Sequence, residues 1–293
     1  MQSSPFVVFC AYIVKIFKPG SKLLLDIQDV FPENIRVSGF VKQQWKINFL
    51  DFILNRFYYK AFDLFVTVSE SFRKIISQKG FREDKILTLY NWSMVERKPE
   101  EKKSDFQFST DGFNIVYAGN IGVHQGLSKL SEGINLITKK NEKIFFHFFG
   151  DGTDFEPLKN ILKENVNIKF HGRVSTDEIG KYMEAADCLF LHLIKDKIYE
   201  SIIPSKLQAY IEIGKPILAG IEGEARELVV NNDLGVAFES ENEDDFVKAT
   251  LEISTFNEIR SNEIKLRSLN LYKKEFSRKA GVEKIYSFIR KNL

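Results

Sequence analysis

The chain has 293 residues, 44% hydrophobic and 28% charged, which suits two soluble domains of ordinary size. A formal charge of +2 with no block of like charges argues against nucleic-acid binding by bulk electrostatics. Two cysteines, Cys10 and Cys188, and four scattered histidines show no metal-ligand spacing, and the cysteine usage fits a reducing compartment.

In chain order, "FVVFCAYIVKIF" predicts a buried helix. It is too short to span a bilayer, and Lys15 interrupts what would otherwise imitate a signal-peptide core. "KLLLDIQ", "FDLFVTVS" and "KILTLY" read as strands, with helices "KQQWKINFLDFILNRFYYKAF" and "ESFRKIISQKG" between them. Residues 94–112 are charged, aperiodic and contain Pro99, the pattern of an interdomain linker. From residue 113, "FNIVYAG", "IFFHFFG", "VNIKFHG", "DCLFLHL", "PILAGI" and "GVAFE" read as six strands alternating with helical stretches. That alternation argues for parallel βαβ units, and a run apolar on both faces such as "IFFHFF" fits a strand covered by helices on both sides. The 27 phenylalanines predict large buried clusters. The expected organisation is an α/β chain. It comprises a partial Rossmann-like domain over 1–93, the linker, a complete doubly wound domain over 113–275, and a closing helix over 276–293 that returns to the first domain.

Open parallel sheets bind ligands beyond the carboxyl ends of their strands. Here those positions are "YAGNIGVHQG", "FFGDGTDF", "FHGRVSTDE" and "HLIKDKIYESIIPSK". In the first loop Gly119, Gly122 and Gly126 suit either a tight turn or a close backbone approach to phosphate. In the second, Gly150 and Gly152 suit either an ordinary βα loop or the lining of a cleft, and Asp151 or Thr153 can cap the helix that follows. In the last, Pro204-Ser205-Lys206 opens a helix that Ser205 can cap. A lysine in the first turn works against the helix dipole, so a compensating anion is the natural suspect there. Glu200, four residues before Pro204, can accept sugar or ribose hydroxyls, or can be an ordinary surface carboxylate.

Taken in order, "AGNIG..QG", "FFGDG", "F.GRV", "AADCLFLHL" and "E...PSKLQAYIEIGKPILA" resemble glycosyltransferase family 4, in its branch of bacterial amino-sugar transferases. The likeness extends upstream through "LLLDIQDVFPE", "FDLFVTVSES" and "LYNWS". It implies a GT-B fold, metal-free and cofactor-free transfer with retention, and a nucleotide sugar held mainly by the second domain, UDP-linked. By the same resemblance Gly119, Asn120, Ile121 and Gly122 would approach the diphosphate. Lys206, with Pro204 and Ser205 at the helix mouth, would neutralise it. Glu200 would face the donor sugar, and Gly172, Arg173 and Val174 would contact the base.

Three departures from the family pattern bear on the site. Asn120 and Gln125 stand where many members carry Arg and Lys, Gln208 stands where the motif has its second Glu, and Gln28-Asp29 replaces a His-Asp pair. Asp29 is the acidic group expected from the first domain. The family start, a glycine-rich strand-loop-helix unit, is not matched. An internal Met of a longer gene, a separate polypeptide supplying that half, and an inactive remnant are the alternatives, and weak or absent transfer by the isolated chain is expected. The partners implied are a nucleotide sugar and a polyprenyl-linked glycan acceptor of surface-polysaccharide synthesis. The expected location is the cytoplasm, either free or peripheral on the cytoplasmic face of the membrane. The basic and aromatic residues over 41–62 suit either an anionic inner-membrane surface or an ordinary amphipathic core helix. A nucleotide-binding chain without turnover and a nucleotide-sugar epimerase of the same fold are the rival functions.

Overall fold

The computed structural model describes residues 7–29, 43, 45–46, 49, 52, 54–92, 106–108 and 111–293. The chain divides into two compact units, Met1–Asn91 with Lys279–Leu293, and Trp92–Arg278.

The second unit holds six parallel strands, β4 (Phe113–Ala118), β5 (Ile144–Phe149), β6 (Ile168–Gly172), β7 (Cys188–His192), β8 (Ile217–Gly220) and β9 (Gly235–Phe238). Their order is β6-β5-β4-β7-β8-β9. The sequence order therefore reverses between β4 and β7, as in a doubly wound Rossmann sheet. Every residue of β7 and β8 is buried, so the apolar runs are continuous and do not alternate. Phe146, Phe148, Phe190, Phe238 and Phe246 form one buried cluster on the sheet.

The helices of this unit are α3 (Ser131–Lys140), α4 (Phe155–Leu162), α5 (Thr176–Ala185), α6 (Ser205–Ile213), α7 (Gly223–Asn231), α8 (Glu243–Ile253) and α9 (Glu258–Leu271). Ser175, Asn242 and Asn257 cap α5, α8 and α9 through side-chain oxygens. The cap of α4 is Asp154, in place of Asp151 or Thr153, and its carboxylate instead accepts the Ser128 amide at 3.1 Å. Most of 94–112 lies outside the described residues. Its described part, Phe106 and Phe108, packs on Tyr182 and His147, so this end of the expected linker belongs to the second unit.

The first unit pairs β1 (Leu24–Ile27), β2 (Leu64–Thr67) and β3 (Ile86–Thr88) in parallel. It also contains the helices α1 (Val7–Phe17) and α2 (Glu70–Gln78). The closing helix α10 (Arg278–Asn292) is held to this unit by Lys85, which donates to Asn292 Oδ1 at 2.8 Å. Burial raises the Asp63 carboxyl, but Lys15 at 2.6 Å and the Leu23 amide outweigh it and hold the group below the usual carboxylate range.

The helix α1 forms where the sequence predicts it, but it is not buried. Phe9, Ile16 and Phe17 are 63%, 72% and 80% exposed, and among the described side chains of the helix only Ala11 is buried. The described sheet ends at β1, and no described element covers the outer face of α1. The helix segment expected within 42–62 lies partly outside the described residues. Its described end is a π-helical turn over Leu54–Tyr58 followed by a 3-10 turn over Tyr59–Ala61.

Two glycines test this packing. Gly150 has φ +137°, and a Cβ there would lie 1.9 Å from the Gly119 carbonyl oxygen. Gly150→Ala is expected to cost at least about 3 kcal/mol in a denaturant melt. Gly180 lies inside α5 with nothing within 4 Å of an added Cβ, so Gly180→Ala is expected to add about 0.5–1 kcal/mol.

Candidate functional site

The site begins where the sheet opens. β4 and β7 pair only at Ile115↔Cys188 and Val116↔Leu189. Beyond that point the Tyr210 hydroxyl, carried on α6, takes the place of a ladder bond. It accepts from the Ala118 amide at 3.2 Å and donates to the Phe190 carbonyl at 3.1 Å. The strands part around this oxygen, and the crevice outside their carboxyl ends is the ligand position of such sheets.

The loops after β4, β5 and β6 then lie side by side. Gly119 N donates to Phe149 O at 2.8 Å, Ile121 N to Asp151 O at 2.9 Å, and Gly150 N to Gly172 O at 2.7 Å. Contacts this close need glycine: Cβ atoms at 150 and 152 would meet the carbonyls of Gly119 and Ile121 within 2.4 Å. A cleft of about 270 Å³ results, lined by Gly119, Asn120, Phe149, Gly150, Asp151, Arg173, Val174, Thr176 and Ile179. Gln125 Oε1 accepts from Asn120 Nδ2 at 2.9 Å and from the Gly122 amide at 3.1 Å. The amides of Gly119, Ile121 and Gly122 are thus bonded within the protein. The glycines give the cleft its room, and their amides do not point into it as free donors.

Lys206 closes this corner from α6. The N-cap of that helix is Pro204, with no side-chain cap bond. Ser205 is its first helical residue, so the expected Ser205 cap is not formed. Proline brings its preset φ and has no amide to satisfy there. The partly buried Lys206 crosses Gly119, where an added Cβ would lie 2.5 Å from its Cε. Its ammonium lies 4.1 Å from the centroid of the Tyr117 ring, and it donates to the Tyr117 hydroxyl and, at 3.0 Å, to the Asn120 carbonyl. The Tyr117 hydroxyl in turn donates to that same carbonyl at 2.5 Å. Burial lowers Lys206 to about 7. Burial first, then Tyr210 and Asp154, push the Tyr117 hydroxyl well above its ordinary value.

The other expected residues are distributed as follows. Gly172 ends β6, and Arg173 and Val174 follow it, with Arg173 exposed at the cleft. Glu200 lies exposed on a 3-10 turn, Tyr199–Ser201. The backbone of that turn is pressed against Gly223, where a Cβ would lie 2.0 Å from Glu200 O. Gln208 is buried, its Nε2 3.5 Å from the Ile203 carbonyl. Asp29 follows β1 in the first unit.

Tyr117, Tyr210 and His192 were not singled out from the sequence. His192 is fully buried. Its Nδ1–H donates to the Gln125 carbonyl at 2.6 Å, and its Nε2 accepts the Glu241 amide at 3.1 Å. That pattern fixes a neutral ring, and burial lowers it to about 4. His147 lies between Asn114 Oδ1 at 3.0 Å and His171 Nε2 at 3.1 Å, and burial, then His171 and Lys169, lower it to about 3. Among the described residues no cluster of three or more His, Cys, Asp or Glu is placed to hold a metal ion.

This fold and crevice define an α/β protein of the GT-B class. The profile of the family described as glycosyl transferases group 1 matches residues 98–265, more than half of the chain, and the chain belongs to that family. It is 24% identical over 243 residues to the probable glycosyltransferase WbjE of Pseudomonas aeruginosa, covering 80% of this chain and 60% of that protein. The chain therefore spans less than two thirds of that relative. Among solved structures, Alr3699/HepE of Anabaena in complex with UDP and glucose matches 98% of this chain and 76% of its own, with TM-score 0.66 and 14% identity. A glycosyltransferase from Rickettsia africae matches 100% of this chain and 83% of its own, with TM-score 0.67 and 14% identity.

Two neutral buried imidazoles give a pH dependence. Their folded values, about 4 and about 3, lie below the ordinary 6.5. The unfolded chain therefore takes up protons first as pH falls. Their contribution is intact above about 6.5 and is lost progressively below it, by about 2 kcal/mol each at pH 5. Thermal melts from pH 8 to 5 are expected to show this decline, with His192→Gln and His147→Gln each removing part of the slope. An unchanged slope in both variants contradicts the assignment.

Proposed function

We propose that the chain is a metal-independent glycosyltransferase of family 4 that moves a sugar from a UDP-linked donor, with retention, to a lipid-linked glycan in surface-polysaccharide synthesis. The single observation that carries this reading is the position of Lys206: a cation at a helix mouth, beside the switch-point crevice, over a glycine that leaves it room. Group 1 membership and the UDP-bound Anabaena neighbour support the donor class.

In this reading the diphosphate lies at the Gly119–Asn120 corner, and the base extends toward Arg173 and Val174. As the bond from sugar to diphosphate breaks, negative charge grows on the leaving oxygen. A preplaced ammonium and the start of α6 stabilise that charge without reorganising during the reaction. Glu200 orients the donor sugar, and Gln208 holds the loop before α6. The amino-sugar branch is the donor class that the sequence likeness favours.

The acceptor reading is supported by the first unit. Phe9, Ile13, Ile16 and Phe17 form an exposed apolar stripe on α1, and Tyr12 of that helix donates to the Phe57 carbonyl. Trp45, Phe49, Phe52 and Phe57 are likewise exposed, among the exposed basic residues Lys18, Lys46, Arg56 and Lys60. An aromatic surface with lysines and arginines among it complements an anionic bilayer, in whose interface the aromatic rings bury while the cations meet the headgroups. The eleven residues of α1 are about 16 Å long, too short to cross a bilayer.

Titration calorimetry with UDP tests the donor site. Lys206→Ala is expected to lose about 1.5–3 kcal/mol of binding, roughly ten- to a hundredfold; affinity equal to the unmodified protein sinks the assignment. Co-sedimentation tests the surface: pelleting with anionic vesicles and not with neutral ones is expected. Ile16→Asp with Phe17→Asp should abolish it, and no pelleting with anionic lipid rejects the membrane reading.

A further inference from the structure

We infer that Tyr117 is a positioning residue for Lys206, its ring face and hydroxyl together holding the lysine ammonium in place and charged at the donor corner. The inference rests on the donor-site reading of Lys206 given above.

The geometry is specific. Tyr117 is 1% exposed and stands one residue before the end of β4, so its ring is fixed by the core beneath it. Phe148 and Phe190 flank it, with ring centroids 6.1 Å away on each side. An aromatic face attracts a cation, and a hydroxyl oxygen accepts from an ammonium, so both interactions favour the charged lysine. The Tyr117 proton goes to the Asn120 carbonyl, which leaves the phenolic lone pairs facing Lys206. A tyrosine here thus does what a phenylalanine cannot: it orients its oxygen as an acceptor toward the lysine.

The arrangement matters because the lysine's charge is marginal. Burial takes the Lys206 ammonium to about 7, so near neutral pH the free protein holds it only partly protonated. The titratable groups around this pair are few. Tyr210 lies on α6 itself with its hydroxyl committed to β4 and β7, and Asp154 acts on Tyr117 from the start of α4. Asp151 and Arg173 line the adjoining cleft. Asn120 and Gln125 are neutral and bonded to each other. Removing the Tyr117 oxygen takes away an interaction that is stronger for the protonated lysine than for the neutral one, so protonation becomes harder and the cation is lost at lower pH.

The experiment is UDP affinity by calorimetry from pH 6 to 9, with thermal midpoints recorded alongside, for the unmodified protein, Tyr117→Phe, Tyr117→Leu and Lys206→Gln. Titration of UDP itself is common to all four and cancels in the ratios. Tyr117→Phe keeps the ring and the packing. It is expected to weaken UDP binding about threefold to tenfold at pH 7 and to move the alkaline loss of affinity at least about half a pH unit toward acid. Tyr117→Leu, which also removes the ring, extends both effects toward Lys206→Gln. If the Leu variant does not fold, the Phe comparison decides alone. A Tyr117→Phe protein with unchanged affinity and unchanged pH midpoint, alongside a Lys206→Gln protein that binds UDP poorly, overturns the positioning role and leaves the donor site standing. Full UDP affinity in Lys206→Gln overturns both.

Discussion

One buried hydroxyl sets the geometry of the second unit. A parallel sheet must part at its switch point to admit a ligand, yet buried backbone groups left without partners there would be costly. Tyr210 resolves the conflict by putting one oxygen between the Ala118 amide and the Phe190 carbonyl, so both strands stay satisfied while they diverge. The residue that does this is on α6, four positions after Lys206 and therefore on the same face of that helix. Fixing Tyr210 between the strands places Lys206 over the end of β4. The left-handed turn at Gly214 (φ +76°) ends the helix one residue after Ile213, so its apolar run is spent against the sheet.

The three glycine-bearing loops depend on that same opening. Gly150 and Gly152 give up side chains so that the loop after β4 can lie against them, and the amides of Gly119, Ile121 and Gly150 pass to carbonyls of the adjoining segments. The result is a tight rim with few donors to spare, and the electrostatics of the corner fall to side chains. His192 takes part at a distance. By bonding the Gln125 carbonyl and the Glu241 amide with one neutral ring, it ties the first loop to the segment before α8. Gln125 then holds Asn120 and the Gly122 amide. A charged imidazole could not accept from Glu241, so the burial that lowers its proton affinity also preserves the tie.

Much of this was legible in the chain and some was not, for physical reasons that differ. The six strands of the second unit announce themselves because a parallel strand buried on both faces must be apolar throughout, as "IFFHFF" and "CLFLH" are. The glycine loops follow from the rule that parallel sheets bind at their carboxyl ends, and Lys206 from the oddity of a cation at a helix start. The exposure of α1 does not follow from its sequence, because an apolar stripe records that a helix face avoids water and not what covers it. Ser205 was misjudged as a cap because Pro204 can occupy the cap position without any side-chain bond. Tyr117 and Tyr210 stayed hidden because each lies inside an apolar run, where a hydroxyl adds one polar atom to an otherwise hydrophobic face. Only the fold shows that both oxygens stand near the parting of β4 and β7.

The departures from the family pattern then form one arrangement. A loop carrying Arg and Lys at positions 120 and 125 would bring two permanent charges to the crevice. Asn120 and Gln125 bond each other and brace the loop, so the same positions give shape in place of charge. Gln208, where a second carboxylate would stand, is buried and neutral, and adds no negative charge beneath the helix mouth. With those charges gone from both signs, the cation at this corner is one lysine whose proton is weakly held and whose nearest partners are a phenol and a carbonyl, while Asp151 and Arg173 line the adjoining cleft. Such a cation is strongly favoured only when an anion arrives, because the anion supplies the stabilisation that burial removed. On the proposed donor site, the same departures that strip the loop of charge would couple occupancy of the crevice to protonation of Lys206, and would make the neutral groups around it, Tyr117 first among them, the determinants of how tightly the anion is held.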